Sequence, residues 1–334
     1  FITGGTGFIG THLASLLHEV HPETRIYNLD IVEPGTPLPT VKNYKPALGN
    51  GEEHAATFIY CDVRQPIELE KVNITPDDVI FNFAAVHRTP GHPDPAYFET
   101  NIRGAENVCA FAERHGIRKI VFTSSIAPYG AAEELKEETT LPMPNTPYGI
   151  SKLVAEKIHQ TWQAGGEGRQ LTIVRPGVVF GRGENGNFTR LYWGIRGHKF
   201  MYPGRKDTIK ACIYVKELVR FMLYRLEHHD SGVELYNCCY EPAYTIEHIV
   251  ESMKRVTNMK VKVPFMPGWL IMTAAGIAGA LGSPMGICPA RVRKLQISTN
   301  ICGKKLSASG YRFHYTFEEA LADWYKDNGN LYLQ

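Results

Sequence analysis

The sequence lacks the features that mark disulfide-stabilised, zinc-binding or nucleic-acid-binding proteins. Its seven cysteines stand singly apart from Cys238-Cys239, and none forms a C-x-x-C pair. They therefore fit reduced thiols, and neither a disulfide framework nor a zinc site. Lysine and arginine number 36 against 34 acidic residues, without the basic run that a nucleic-acid footprint requires. We therefore expect a cytoplasmic protein with no metal and no nucleic-acid partner.

Long apolar runs are also scarce. The one long stretch without a charged residue is 263–289. Its centre, GWLIMTAAGIAGALG, is too short and too rich in glycine to span a bilayer, which needs about 20 apolar residues. We predict a buried helix here. The sequence leaves open a second interpretation, in which 264–290 is an exposed apolar flap that touches a lipid carrier or the inner face of the membrane.

Strand-like and helix-like segments alternate through the first half of the chain. Regular alternation favours a parallel sheet covered by helices on both faces. We therefore predict an α/β fold built on a Rossmann-like, doubly wound parallel sheet. The predicted strands are Arg25–Asp30, Thr57–Cys61, Val79–Phe83, Lys119–Thr123 and Leu171–Arg175, and the predicted helices are Thr11–Val20, Tyr97–His115 and Tyr148–Gln163.

A glycine-rich motif, TGGTGFIG, follows the first strand-like residues. Gly4 permits a tight turn, Gly7 lets a pyrophosphate approach the backbone, and Gly10 allows the helix to pack closely on the sheet. The helix that begins near Phe8 and Ile9 then presents free N–H groups and a positive dipole to the phosphates. The motif predicts a dinucleotide site, although a lone glycine motif also fits a turn without a ligand.

The residues that follow the next strands strengthen this prediction. Asp30 ends a predicted strand twenty residues beyond Gly10, where a carboxylate accepts hydrogen bonds from ribose hydroxyls and repels a 2′-phosphate. No arginine stands next to Asp30 to hold a 2′-phosphate, so the sequence favours NAD over NADP. We predict that Asp62 and Val63 border the adenine. The small residues of Phe83-Ala84-Ala85 fit close passage of the cofactor.

Three side chains farther along predict proton transfer. Tyr148 and Lys152 are four residues apart and share one face of a helix. A neighbouring ammonium is expected to lower the phenol pKa from about 10, so that Tyr148 takes a proton from a hydroxyl while nicotinamide accepts a hydride. Ser125 is expected to hydrogen-bond the reacting oxygen, and Lys152 to hold the nicotinamide ribose. An exposed tyrosine beside a solvated lysine is the alternative for this pair alone.

A chain of 334 residues is long for a single core, and its pattern becomes irregular after Gly181. We predict an NAD-binding domain at 1–180, to which 204–232 returns. The remaining segments, 181–203 and 233–328, are expected to form a smaller C-terminal α+β substrate-binding region. We interpret 329–334 as a tail.

The whole set of motifs is similar to one family. TGGTGFIG, Asp30, FAAV at 83–86, FTSSIAPYG at 122–130, YGISK at 148–152 and RPGVVFGRG at 175–183 resemble the extended short-chain dehydrogenases/reductases of the NAD-dependent epimerase/dehydratase type. Sugar dehydratases of this family carry an Asp-Glu pair after the catalytic serine. Ile126-Ala127 stand there in this sequence, which argues against dehydration. The resemblance therefore implies a 4-epimerase that recycles NAD through a 4-keto sugar.

The resemblance also implies substrate contacts in the second half of the chain. It places Pro176 near the nicotinamide and Val178 toward the sugar, with Asn187 and Phe188 at the nucleotide or diphosphate. Lys210 stands where nucleotide-sugar epimerases usually have arginine. Two further candidates for a diphosphate clamp are Arg291 and Arg293, although solvated surface charges are an equal alternative for each cation.

The stretches LTIVRPGVVFGRGENGNF, HKFMYPG and ARVRKL resemble bacterial epimerases that act on N-acetylglucosamine attached to undecaprenyl diphosphate. The expected substrate is thus a diphosphate-linked N-acetylhexosamine, with UDP or undecaprenol as the carrier. Net reduction of a keto-sugar, or oxidation of a hydroxyl in a sterol-like or lipid-like substrate, remains an alternative. A dinucleotide-sensing regulator is less consistent with the catalytic residues. The family also implies a homodimer formed through the Tyr148–Gln163 helix.

Overall fold

The computed structural model describes residues 1–36, 56–87, 91–130, 132–230, 232–270, 273 and 296–334. The strands in these ranges are β1 (Ile2–Thr3), β2 (Tyr27–Asp30), β3 (Thr57–Tyr60), β4 (Val79–Asn82), β5 (Lys119–Thr123), β6 (Ala132–Lys136), β7 (Gln170–Pro176), β8 (Val178–Phe180), β9 (Tyr202–Pro203), β10 (Ile209–Lys210), β11 (Cys212–Tyr214), β12 (Val233–Cys238), β13 (Tyr244–Thr245), β14 (Phe265–Met266) and β15 (Thr299–Ile301). The helices are α1 (Phe8–Val20), α2 (Asp94–Arg114), α3 (Pro147–Ala164), α4 (Asn187–Arg196), α5 (Val215–Glu227), α6 (Ile246–Val256), α7 (Lys304–Ala308) and α8 (Phe317–Asp327).

The main sheet contains seven parallel strands in the order β3-β2-β1-β4-β5-β7-β12. The chain moves outward from β1 in one direction through β2 and β3, and in the other through β4 and β5. The strand order therefore reverses between β1 and β4, and the crevice beyond the carboxyl ends of these strands is where doubly wound folds bind ligands. The predicted α/β fold and parallel sheet are confirmed.

Alternating side chains of the central strands explain why helices cover both faces. In β5, Val121 packs in the apolar cluster that includes α1 and α5, whereas Ile120 and Phe122 pack in the cluster that includes α2 and α3. The same alternation occurs in β7, where Val174 faces one cluster and Ile173 the other. Strands buried on both faces need apolar side chains at successive positions, as these strands have.

The second half of the chain forms smaller layers around an aromatic core. Phe180 lies at its centre, 4.8 Å from the ring of Phe188 and 5.5 Å from that of Phe317 between ring centroids. A four-stranded sheet in the order β13-β10-β15-β6 lies in this half. Helices α4, α6 and α8 contribute side chains to the aromatic core.

The structure differs from the predicted domain boundaries at three places. Strand β12 (233–238) pairs with β7 in the main sheet, so the part of the chain that returns to the first domain extends beyond 232. Strand β6 (132–136), from within 1–180, pairs with β15 in the smaller sheet. The segment 329–334 is packed against the body, because Leu333 is 0% exposed and Trp324 Nε1 donates to the main-chain oxygen of Gln334 at 3.1 Å.

Candidate active site

The helix that carries the candidate proton-transfer residues approaches the turn after β5 very closely. Thr146 caps α3 by accepting a hydrogen bond from the Gly149 N–H at 3.1 Å, and Pro147 occupies the first turn. A Cβ at Gly149 would lie only 2.7 Å from the Ala127 carbonyl oxygen. Glycine at this position therefore permits the approach that places Tyr148 beside Ser125.

Ser125 and Tyr148 are both partly exposed and in hydrogen-bonding contact. Burial raises the pKa of the Tyr148 hydroxyl above its ordinary value of 10, and the hydrogen bond with Ser125 lowers it by less. The sequence predicts the opposite direction, a pKa lowered by Lys152. That prediction is wrong for the chain by itself, because removal of the phenol from water disfavours its charged form more than its neighbours favour it.

Lys152 lies almost fully buried beneath this pair. Its Nζ donates to the Thr123 carbonyl at 2.8 Å and lies 4.9 Å from the centroid of the Phe122 ring. Burial lowers the pKa of Lys152 from 10.5 to about 7, against the opposing charge of Glu156. The three candidate groups thus converge at the carboxyl end of β5, and Lys152 changes its charge near neutral pH.

The glycine loop lies at the point where the strand order reverses. Gly4 has φ +69, and a Cβ there would lie 2.8 Å from the main-chain nitrogen of Ala84, in the loop after β4. A Cβ at Gly10 would lie 2.6 Å from the Gly5 carbonyl. The loops after β1 and β4 therefore touch at Gly4 and Ala84.

Gly7 is different, because the protein leaves room beside it. It is the N-cap residue of α1 with φ −72, no side chain caps the helix, and the first turn contains no acidic residue. Apart from its chain neighbours, the described residues give a Cβ at Gly7 one neighbour within 4 Å, the Gly4 carbonyl oxygen at 3.1 Å. An uncapped helix N-terminus beside a cradle that a Cβ would narrow fits a bound pyrophosphate. The N–H groups of Phe8 and Ile9 belong to this first turn.

Asp30 holds the glycine loop at the end of β2. Its carboxylate accepts hydrogen bonds from the N–H groups of Thr6 at 3.2 Å, Ile31 at 2.7 Å and Val32 at 3.2 Å. The residue is only half-buried, so the carboxylate can also accept from hydroxyls outside the chain. This arrangement fits an adenosine ribose.

The two candidates after β3 are engaged with the protein. The Asp62 carboxylate accepts from Arg64 Nε at 2.9 Å and from its Nη2 at 2.6 Å, and this contact lowers the pKa of Asp62. The Val63 side chain is buried beneath α2, where a Cβ at Gly104 would lie 3.0 Å from its Cγ2. Burial and the negative charges of Asp62 and Asp30 raise the pKa of the Cys61 thiol to about 11.

The predicted substrate residues within the described ranges are spread over β7, β8, β10 and α4. Pro176 is buried at the end of β7 and Val178 is half-buried, with its N–H donating to the Ala211 carbonyl at 2.8 Å. Lys210 Nζ donates to the Ile297 carbonyl at 2.7 Å. Its ammonium is thus tied to the chain near β15. Arg291, Arg293 and most of 264–290 lie outside the described residues.

The N–H groups in the first turn of α4 already donate to a carboxylate of the protein itself. Asn187 is exposed, whereas the Phe188 side chain lies in the aromatic core. The Glu184 carboxylate accepts from the N–H of Phe188 at 3.3 Å and from that of Thr189 at 2.9 Å. A substrate diphosphate at this helix end would compete with Glu184 for the same donors.

Sequence reasoning missed a set of buried polar residues behind the site. Glu156 accepts from Arg175 and Ser124, and Asn101 Nδ2 donates to Ser151 Oγ at 2.9 Å on the catalytic helix. His159 lies one turn beyond Glu156. The i+4 spacing of Glu156 from Lys152 is a signal that was available, since it predicts a shared helix face.

Within the described ranges, no group of three His, Cys, Asp or Glu side chains is arranged to hold a metal ion. No helix in the same ranges combines the length and apolar character needed to cross a membrane.

Comparison with known proteins agrees with this geometry. The family model for the NAD dependent epimerase/dehydratase family matches residues 1–239. The chain is 30% identical over 326 residues to the N-acetyl-alpha-D-glucosaminyl-diphospho-ditrans,octacis-undecaprenol 4-epimerase of Escherichia coli O157:H7, an alignment that covers 96% of this chain and 92% of the relative. It is 24% identical to a 3-beta-hydroxysteroid dehydrogenase of Mycolicibacterium neoaurum, with 96% and 89% covered.

A solved structure has the same fold. The UDP-N-acetylglucosamine 4-epimerase of Methanobrevibacter ruminantium M1, in complex with UDP-N-acetylmuramic acid, superposes with a TM-score of 0.74 at 22% identity, covering 98% of this chain and 97% of that one. NAD is the cofactor of the family, and the open cradle at Gly7 with the acceptor Asp30 fits it. The chain therefore belongs to the NAD dependent epimerase/dehydratase family, and it is an NAD-dependent enzyme.

Proposed function

We propose that this protein is a 4-epimerase of an N-acetylhexosamine linked through diphosphate to a polyprenol. The observation that carries the reaction type is the convergence of Ser125, Tyr148 and Lys152 at the carboxyl end of β5. The carrier is supported by the similarity to the Escherichia coli relative, an epimerase named for N-acetylglucosaminyl-diphospho-undecaprenol. Dehydration would need an acid–base pair after the serine, and the chain has Ile126 and Ala127 there.

The chain's own residues have separate roles at the C4 carbon of the sugar. Bound NAD supplies the acceptor, and later the donor, of the C4 hydride, together with a positive ring. Tyr148 Oη takes the proton of the C4 hydroxyl as the carbonyl forms, and the Lys152 ammonium below it favours the phenolate. Ser125 Oγ donates to the same oxygen. After the 4-keto sugar has turned over, Tyr148 returns the proton to the C4 oxygen of the inverted product.

We propose contacts between the chain and NAD on the basis of the same geometry. The N–H groups of the turn at Gly7, Phe8 and Ile9 bind the pyrophosphate, and Asp30 accepts from the adenosine ribose. Lys152 holds the nicotinamide ribose, with Pro176 beside the ring. Asp62 and Val63 contribute main-chain contacts near the adenine, since their side chains are engaged elsewhere.

We also propose that two copies associate through α2 and α3. Ile150 is 39% exposed and Val154 is 36% exposed, one turn apart on α3, and together they present an apolar stripe. Contact with the membrane face is proposed for the described start of the apolar segment, where Trp269 is 70% exposed and Phe265 is 51% exposed. Clustered exposed aromatic side chains fit a lipid interface.

The reaction type is tested with a substrate that carries deuterium at C4. An epimerase removes this hydride and returns it to the same molecule, so the product retains the label without added NADH. The nicotinamide absorbance then shows no net change. Loss of the label together with a stoichiometric absorbance change would instead establish a net dehydrogenase, which the steroid-dehydrogenase relative keeps as the second candidate.

A further inference from the structure

Three charged side chains are buried together behind the candidate catalytic pair. Lys152 is 3% exposed, Glu156 is 1% exposed and Arg175 is 3% exposed. Glu156 Oε1 accepts from Ser124 Oγ at 2.5 Å and from Arg175 Nε at 2.8 Å, and its Oε2 accepts from Arg175 Nη2 at 2.6 Å. The Arg175 guanidinium also lies 4.7 Å from the centroid of the Tyr129 ring.

This Glu156 carboxylate joins α3, the turn after β5 and the end of β7, which carry residues of the candidate site. It projects from α3, one turn after Lys152 and two turns after Tyr148. Ser124 lies on the chain between Thr123, whose carbonyl accepts from Lys152, and Ser125. Arg175 directly precedes Pro176, whose carbonyl accepts from the Ile126 N–H at 3.2 Å. Each partner of Glu156 is thus adjacent in sequence to a residue of the site.

Stability alone does not explain three buried charges. A buried ion pair contributes little net stability, and well-packed apolar residues of the same volume often serve as well or better. The Glu156 carboxylate is neutralised by Arg175, so the trio keeps one positive charge when Lys152 is protonated. A buried positive charge favours an anion nearby, and the anion that the reaction needs is the Tyr148 phenolate.

We propose that Glu156, held by Arg175 and Ser124, is a positioning residue that fixes Lys152 against β5 and keeps its ammonium charged during turnover. This inference rests on the proposed function. The titratable groups around Lys152 in the described residues are Tyr148, Glu156 and His159 on α3 and Arg175 on β7. Of these, Glu156 raises the pKa of Lys152 against the effect of burial.

The chain contains a matched control pair between α5 and the edge strand β12 of the main sheet. Arg225 on α5 and Glu234 on β12 form a similar buried bidentate contact, with Nη2 2.6 Å from Oε1 and Nε 3.0 Å from Oε2. Glu156→Gln and Glu234→Gln each remove the carboxylate that accepts two hydrogen bonds from a buried arginine, so both are expected to lower the midpoint of thermal unfolding. Only Glu156→Gln is expected to change catalysis.

The test compares kcat across pH for folded protein of each variant. In Glu156→Gln we expect kcat at neutral pH to fall roughly tenfold, as for a shift of one pKa unit, with the alkaline loss of activity beginning at lower pH. We expect KM to stay near that of the parent. A Glu156→Gln profile that matches Glu234→Gln would overturn the proposal, provided that the parent epimerises. An inactive parent would instead overturn the proposed function.

A second variant separates positioning from folding. Glu156→Leu combined with Arg175→Met removes both charges and is expected to recover the unfolding midpoint lost in Glu156→Gln, without recovering kcat. Recovery of kcat together with stability would contradict the proposal.

Discussion

The imidazole of His159 accepts a hydrogen bond from Asn82, with Nε2 3.1 Å from Nδ2, and its Nδ1 donates to the Ala155 carbonyl at 2.7 Å. Asn82 Oδ1 in turn accepts from Thr3 Oγ1 at 2.8 Å. Thr3 immediately precedes Gly4, so a buried line of hydrogen bonds connects the catalytic helix to the base of the glycine loop. Each donor and acceptor in this line is matched only when His159 is neutral.

This relationship predicts how stability depends on pH. Burial lowers the pKa of His159 from 6.5 to about 4. Between these values the unfolded chain binds a proton that the folded chain does not, so the free energy of unfolding decreases as pH falls from 6.5 toward 4 and this contribution levels off below 4. Denaturant unfolding of the protein and of His159→Phe across this range should show a shallower dependence in the variant. Parallel curves would contradict the prediction.

Lys152 predicts a second window on the alkaline side. Burial lowers its pKa from 10.5 to about 7, so between these values the unfolded chain binds the extra proton. The protein should therefore gain stability relative to Lys152→Met as pH rises from 7 to 10.5. The same denaturant titrations measure this difference. A difference that stays constant over the window would show that the ammonium is not buried in solution.

Gly4 and Gly7 predict a separation of folding from cofactor binding. Gly4→Ala places a Cβ at φ +69 against the Ala84 backbone and should cost about 1–2 kcal/mol of folding free energy before any contact strain. Gly7→Ala has an allowed φ of −72, but its Cβ would lie 3.1 Å from the Gly4 carbonyl oxygen and alanine caps a helix less well than glycine, so it should lower the unfolding midpoint by less than Gly4→Ala does. Its affinity for NAD should nevertheless fall roughly tenfold, or about 1.4 kcal/mol.

Calorimetric titration with NAD, together with thermal unfolding of the two variants, checks this separation. Gly7→Ala is the informative variant, because its φ of −72 suits alanine and NAD affinity can be measured on the folded protein. Unchanged NAD affinity in a folded Gly7→Ala protein would remove the pyrophosphate from this position.

Ile150→Glu tests the proposed dimer. The substitution places a carboxylate on the exposed stripe of α3, where its burial between two copies would be costly. Sedimentation velocity should show the parent as a dimer and the variant as a monomer. Ile31→Glu is a control at an exposed apolar residue of another element, 53% exposed after β2, and should leave the dimer intact. A monomeric parent would contradict the prediction.

Local chemistry in the sequence was enough to locate the parts of the site that depend on single positions. Gly4, Asp30 and Tyr148 could be recognised because a tight turn, a ribose acceptor and a phenol four residues before a lysine each need a particular residue type. The parallel sheet followed from alternating segments in the same way. Each of these features depends on residues that lie close to one another along the chain.

Features that depend on distant segments could not be predicted in this way. The pairing of Glu156 with Arg175 requires α3 and β7 to lie side by side, and the opposite direction of the Tyr148 pKa follows from burial that only the packed structure determines. Strand β12 was assigned to the smaller region because the pattern after 232 is irregular, yet its partner in the sheet is β7.

The most direct test of the account is to incubate the purified protein with N-acetylglucosamine carried on polyprenyl diphosphate and, separately, on UDP, and to identify the hexosamine released by mild acid. We expect the polyprenyl-linked sugar to be converted to its 4-epimer without added NADH, and Tyr148→Phe to leave it unconverted. Efficient conversion of the UDP-linked sugar alone would contradict the proposed carrier. Equal turnover by Tyr148→Phe and the parent would contradict the mechanism.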